Sequence, residues 1–265
     1  MDQTPTSKRP AGTLLRESDP DPVEIVNGAG TADILLVCEH AGRAVPGGLA
    51  RLGLDDGAFE RHIAYDIGAE GLSRALSAEL DAPLVLQRYS RLVVDCNRPP
   101  SAPDFIPEAS DGTLVPGNAS LSEDGRAQRL AEIHAPFHEA VARLLSERPP
   151  AALVAVHSFT PKLEVMGVQR PWHAGFLFHR DDRLSRGLLG ALLAQSPGTV
   201  AALNQPYCVT DEGDYTIPVH GEARRLPHTL VEIRNDLIAT PEGQAAWARR
   251  LASALTAALP ALPES

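Results

Sequence analysis

Apolar residues along this chain fall into short continuous runs that end on charged or amide groups, and these alternate with longer stretches of helical period. The first run, "ADILLVCEH" (32–40), is too short for a helix and too continuous for a strand with one wet face. It predicts a strand buried on both faces whose C-terminal end opens onto polar surroundings. "DIGAEGLSRALSAELDA" (66–82) sets Ile67, Leu72, Ala75, Leu76 and Leu80 at helical spacing, and Pro83 stops it. "PLVLQRY" (83–89) and "RLVVDCN" (91–97) read as two short strands, close enough to pair as a hairpin or to lie side by side in one sheet. In the second, alternation puts Leu92, Val94 and Cys96 on one face and Arg91, Val93 and Asp95 on the other, so that Arg91 can pair with Asp95. Asn97 and Arg98 then fall at the strand's end.

From 99 to 122, Pro, Asp, Gly and Ser predominate, predicting a long functional loop. A helix follows over 122–148, with Ser122 as its cap and a kink expected at Pro136. "AALVAVHSF" (151–159) and "HAGFLFHR" (173–180) predict two more strands, "RLSRGLLGALLAQS" (183–196) an amphipathic helix, and 224–237 a last strand. Residues 240–259 predict a closing helix, with Thr240 as cap and Pro241 at its first position. Strands alternating with helices favour an α/β fold: a single domain with a central mixed sheet flanked by helices on both faces. The first 22 residues, rich in Pro, Thr, Ser and charge, are expected to form a flexible arm before a catalytic domain spanning 23–265.

Composition narrows the partners. A net charge of −10 argues against nucleic acid, which needs a basic face. No run reaches the roughly 18 apolar residues that span a bilayer, and the N-terminus lacks an apolar signal core. Three cysteines without CxxC spacing indicate neither a disulfide framework nor a structural zinc site. The expectation is a soluble cytoplasmic protein; oligomeric state is not legible.

Sites in such sheets gather beyond the carboxyl ends of strands. Three ends carry potent groups: Glu39 and His40, His157 and Ser158, and Glu232 and Arg234. An ionised carboxylate there needs a cation, a metal or solvent, and a metal would account for several of these groups at once. Two imidazoles and a carboxylate form a common catalytic zinc shell, and His40 and His157 are the best imidazoles. Each could instead be a core histidine satisfied by a backbone carbonyl.

The ordered series "VCEHAGRAVP", "DIGA", "YSRLVVDCNRP", "HAPFH", "VAVHSFTP", "NQPY" and "LVEIRNDL", spread over residues 33–238, closely resembles the N-formylglutamate amidohydrolase family. That family is related in fold to the zinc carboxypeptidases. The resemblance implies a zinc-carboxypeptidase-like (phosphorylase/hydrolase-like) fold and a Zn2+ cofactor, with another divalent transition metal as the alternative. It implies His40 and His157 as metal ligands, Glu232 as catalytic base, and Asn97 and Arg98, with Arg91, as the clamp for a small-molecule carboxylate substrate. The implied reaction is hydrolysis of N-formyl-L-glutamate or a similar N-acyl amino acid, a step of histidine degradation. A non-catalytic member that binds an acidic metabolite or short peptide is the other class.

One position departs from the carboxypeptidase pattern. Those enzymes place a glutamate ligand three residues after the first histidine, where this chain has Arg43. Asp66 is the first choice for the carboxylate ligand, with helix capping as its other role; Glu39 is the alternative. His134 and His138 lie four apart on one helix face, without the HExxH context of a metalloprotease. His220 is a candidate for substrate or oxyanion binding, while His62, His173, His179 and His228 carry no comparable case. The irregular stretch 204–222 brings Tyr207 as a substrate-binding candidate, either as part of a lid or as a packed surface tyrosine.

Overall fold

The structure is a computed structural model and describes residues 13–162 and 167–261. Its strands are β1 (Val23–Val26), β2 (Ile34–Cys38), β3 (Leu84–Gln87), β4 (Ala109–Ser110), β5 (Thr113–Leu114), β6 (Ala152–Phe159), β7 (Ala174–Leu177), β8 (Ala201–Leu203) and β9 (His228–Arg234). Seven of them form one mixed sheet in the order β1-β3-β2-β6-β9-β7-β8, and β4 with β5 makes a separate small hairpin. The centre, β3-β2-β6-β9, is parallel; β1 and β7 run antiparallel to their neighbours β3 and β9.

The helices are α1 (Ala69–Leu80), α2 (Glu123–Arg129), α3 (Ala135–Glu147), α4 (Arg183–Gln195) and α5 (Pro241–Ala258). Every residue of β2, β3, β6 and β7 is buried. Alternation therefore divides two cores. Leu36, Cys38, Val154, Val156 and Val231 face α1, α4 and α5, while Leu35, Val37, Leu153, Ala155 and Leu230 face α3 and the long loops. Helices thus cover both faces of a single-domain α/β fold.

Local signals act as their chemistry requires. The Ser122 side chain accepts from Gly125 N, and Thr240 accepts from Gly243 N, each satisfying a helix N–H that has no partner of its own. The kink expected at Pro136 is a π turn over Leu130–His134, directly before α3. Of the expected N-terminal arm, residues 1–12 lie outside the described residues. Leu15 beyond them is buried, and Glu132 accepts the backbone N–H groups of Leu14 and Leu15 at 2.7 and 3.0 Å.

The strand expected at 91–97 does not form. Residues 91–97 run through successive turns, with Val93 N donating to Ser90 O and Arg98 N to Asp95 O. Both edges of β3 are already occupied, by β1 and β2, so no ladder position is left for a hairpin partner. Leu92, Val93, Val94 and Cys96 are all buried regardless of parity, because this segment is wrapped by other loops rather than laid on one face of a sheet.

Candidate active site

The same alternation that divides the cores aims the chemistry. Continuing the Leu153–Ala155 face of β6 gives His157; continuing the Leu230 face of β9 gives Glu232, its direct cross-strand partner. Gly175 stands opposite Glu232 on β7, where a Cβ would lie 1.7 Å from the Gln205 carbonyl oxygen, so glycine is required for the 205 loop to approach.

His40 follows β2 and its carbonyl accepts from Asp66 N at 2.9 Å, tying the turn before α1 to the strand end. Gly68, at φ 81°, makes the left-handed step into α1, and a Cβ there would meet the Ile238 carbonyl at 2.2 Å. No side chain caps α1, which removes the capping role for Asp66. Its carboxylate points inward instead: Oδ2 lies 2.9 Å from His157 Nδ1 and 3.5 Å from His40 Nδ1, and accepts from Ser158 N. Ligand atoms of His40, Asp66 and His157, all buried, fall within 4.8 Å of one another.

The far nitrogens of both imidazoles also face carboxylates. His40 Nε2 is 2.7 Å from Asp95 Oδ1, and His157 Nε2 is 3.0 Å from Glu39 Oε2, off the line of a hydrogen bond. Because Asp95 accepts at Nε2, that nitrogen of His40 carries the proton, and in the neutral ring Nδ1 is then the lone-pair atom. Nδ1 has no hydrogen-bond partner and faces an ionised carboxylate oxygen. Two electron-rich atoms aimed at each other in a buried pocket suit a cation between them, so this donor set fits a divalent metal. Glu39 sits behind His157 and does not line the cavity, whereas Asp66 does.

Burial pushes Asp66 up, yet His40, His157 and His62 together hold it well below the usual carboxylate range. Asp95 is likewise held well below it, against burial, by Arg91 and His40. Glu232 differs: burial, with Asp66 adding to it, raises its carboxyl to about 8. Its Oε2 is buried and has no hydrogen-bond partner.

His40, Asp66, His157 and Glu232 line a cavity of about 290 Å³, together with Arg91, Asn97, Arg98 and Tyr207. Arg91 pairs with Asp95 as the sequence suggested, through two hydrogen bonds of 3.1 and 2.8 Å, and reaches Asp66 at 3.4 Å. Arg98 donates to Asp104 and to the Gly213 carbonyl. Asn97 is largely committed to the facing loop: Nδ2 donates to Asp214, and Oδ1 accepts from Tyr215 N and Thr216 N. Tyr207, 40% exposed, stands at the mouth. His220 is buried away from the cavity wall, its Nε2 3.1 Å from His138 Nδ1.

The N-formylglutamate amidohydrolase family profile matches residues 32–239. This chain belongs to the N-formylglutamate amidohydrolase family. Among solved structures, it is similar to gene product Atu2144 of Agrobacterium tumefaciens: 37% identity, TM-score 0.89, covering 95% of this chain and 100% of that one. It shares its fold with an N-formylglutamate amidohydrolase from Ralstonia eutropha JMP134 at 18% identity and TM-score 0.59, covering 92% and 98%. A metallo-carboxypeptidase from Burkholderia cenocepacia superposes at 12% identity and TM-score 0.47, covering 95% and 64%. No curated protein matches significantly.

For this family member, sequence reasoning overlooked two residues of the cavity region. His62 lines the cavity with Nδ1 3.8 Å from Asp66 Oδ1, and burial lowers it to about 4. Its position four residues before Asp66 was the available signal. Alternation pairs Asp95 with Arg91 alone, and the structure adds His40 as a second partner. The turns at 91–97 make both contacts possible, and a strand reading hides them.

Proposed function

We propose that this protein is a metal-dependent amidohydrolase that removes the formyl group from an N-formyl amino acid, with N-formyl-L-glutamate as the favoured substrate. The observation that carries this reading is the convergence of His40, Asp66, His157 and Glu232 in one cavity that Arg91 and Arg98 also line. His40, Asp66 and His157 would hold the metal. Bound there, a divalent ion such as Zn2+ would polarise the formyl carbonyl, lower the pKa of water and favour the ionised form of Glu232.

The chain's own residues supply the rest. Glu232 takes a proton from the attacking water at its carboxylate and returns it to the departing amine nitrogen, as the C–N bond breaks and a C–O bond forms. The products are formate and the free amino acid. Arg98, with the remaining amide N–H of Asn97, fixes the substrate carboxylate; Arg91 acts mainly through Asp95 and Asp66. Tyr207 closes over the bound substrate. His220 is set back from the cavity and supports the loop that carries Tyr215 and Thr216. Three free cysteines support a reducing cytoplasm as the setting, and the substrate class suits histidine degradation.

The test is metal content and turnover together. The wild type should bind about one metal ion per chain and lose activity on chelation. Glu232→Gln should keep the metal and lose about 10^2- to 10^4-fold in kcat. Full activity in that variant removes Glu232 as the base.

A further inference from the structure

The cations around the cavity are unequally committed. Arg91 is bound by Asp95 and Asp66, and Arg98 by Asp104. Arg170, between β6 and β7, is only 6% exposed, yet it makes no ion pair among the described residues. Its side chain reaches the Thr160 carbonyl and hydroxyl, at 3.4 and 3.3 Å, the Tyr207 hydroxyl and the Phe159 ring, none of which is an anion at neutral pH. The guanidinium carbon lies 4.8 Å from the centre of the Tyr207 ring, which lines the cavity. Its backbone N–H donates to the Pro161 carbonyl at 2.9 Å, which fixes the position of the segment.

Burying a guanidinium without a carboxylate is costly, and a cation–π contact offsets only part of that. The charge acts toward the cavity: it is felt by Glu232, His62 and Tyr207, all of which line it. A buried guanidinium with neutral neighbours is suited to an incoming anion.

We propose that Arg170 forms a second anion subsite, which takes the side-chain carboxylate of an acidic N-formyl amino acid while Arg98 and Asn97 take the α-carboxylate. This rests on the amidohydrolase reading above and adds a specificity determinant to it. The guanidinium, stacked on Tyr207, presents its remaining N–H groups for bonds to a carboxylate, a geometry that lysine cannot reproduce. A site built around a buried charge rejects an analogue that leaves the charge unpaired.

The experiment compares N-formyl-L-glutamate with N-formyl-L-glutamine, a neutral substrate of nearly the same shape, on the full-length zinc-loaded enzyme. The wild type should favour the glutamate substrate by on the order of 10^2-fold in kcat/KM. Arg170→Gln should collapse that preference, chiefly by raising KM for the glutamate substrate, and Arg170→Lys should restore part of it. Arg98→Gln should depress both substrates and keep their ratio. Equal losses on both substrates in Arg170→Gln, or an undiminished preference, would overturn the proposal.

Calorimetry on the wild type gives a second measurement that needs no variant: L-glutamate should bind more tightly than L-glutamine, and equal affinities would also overturn the subsite. Absence of turnover on either formyl substrate counts against the amidohydrolase reading instead, and the binding comparison still decides Arg170.

Discussion

Two groups of buried histidines lie on either side of the Asp95–Arg98 turn, and they are built oppositely. His40 and His157 each have carboxylates near both ring nitrogens: Asp66 with Asp95 for one, Asp66 with Glu39 for the other. Among the described residues, His134, His138 and His220 make no carboxylate pair; they meet backbone carbonyls and one another. His134 Nε2 lies 3.2 Å from the Arg98 carbonyl oxygen, and His138 Nε2 lies 2.7 Å from that of Cys96. Since a carbonyl only accepts, His138 donates at Nε2, its Nδ1 accepts, and His220 must donate from Nε2. Burial holds all three below the usual imidazole value, His134 and His220 at about 4.

The same residue type therefore serves two ends. Surrounded by acid, imidazoles make a donor set that fits a cation; surrounded by carbonyls and rings, they form a neutral brace under the turn that carries Asn97 and Arg98.

The sharpest way to break this contrast is at the seat. His157→Ala should abolish metal retention and lower kcat/KM by about 10^3-fold or more, read by metal analysis and kinetics. Retained metal would place the cation elsewhere. A smaller effect should follow from Asp95→Asn, which leaves His40 in place but removes its ionised acceptor. Metal affinity should fall about 10- to 100-fold in chelator competition, and an unchanged affinity would leave Asp95 as a partner of Arg91 alone.

The smallest effect concerns the brace. A histidine held neutral in the fold takes up a proton near its ordinary value of about 6.5 once the chain unfolds. Its contribution is therefore present above that pH and is lost as pH falls toward 4. For His134 the loss is up to about 3 kcal/mol, seen as a falling urea midpoint between pH 6.5 and 4. His134→Gln should flatten that slope, and an unaltered slope would mean that His134 is not held neutral.

Much of this was legible in the sequence because the sheet obeys simple periodicity. Continuous apolar runs marked β2, β6 and β7, and their polar ends marked His40 and His157. Asp66 could be chosen by its place at the head of a helix, since the sheet order brings that turn against the end of β2. The turns of 91–97 were not legible: "RLVVDCN" alternates as a strand does, and only the occupied edges of β3 forbid pairing. His62 and Arg170 were missed because their roles depend on which loops fold over the cavity, and no local pattern records that. His220, a candidate for substrate or oxyanion binding, does not line the cavity. Its loop does approach the site, but the imidazole turns back toward α3.

His157 and Glu232 are cross-strand neighbours in a parallel ladder, so their separation follows the strand spacing of roughly 4.8 Å and not the path of any loop. Arg98, Arg170, Tyr207 and Asp214 sit on connections between elements. Under the proposed roles, bond cleavage and choice of substrate fall to parts of the chain that can vary independently. Lengthening or rewriting the connections around 161–172 and 204–216 could retune which acyl amino acid is accepted, while the hydrolytic pair stays at a fixed gauge. A lineage, or a designer, could use one engine with exchangeable mouths.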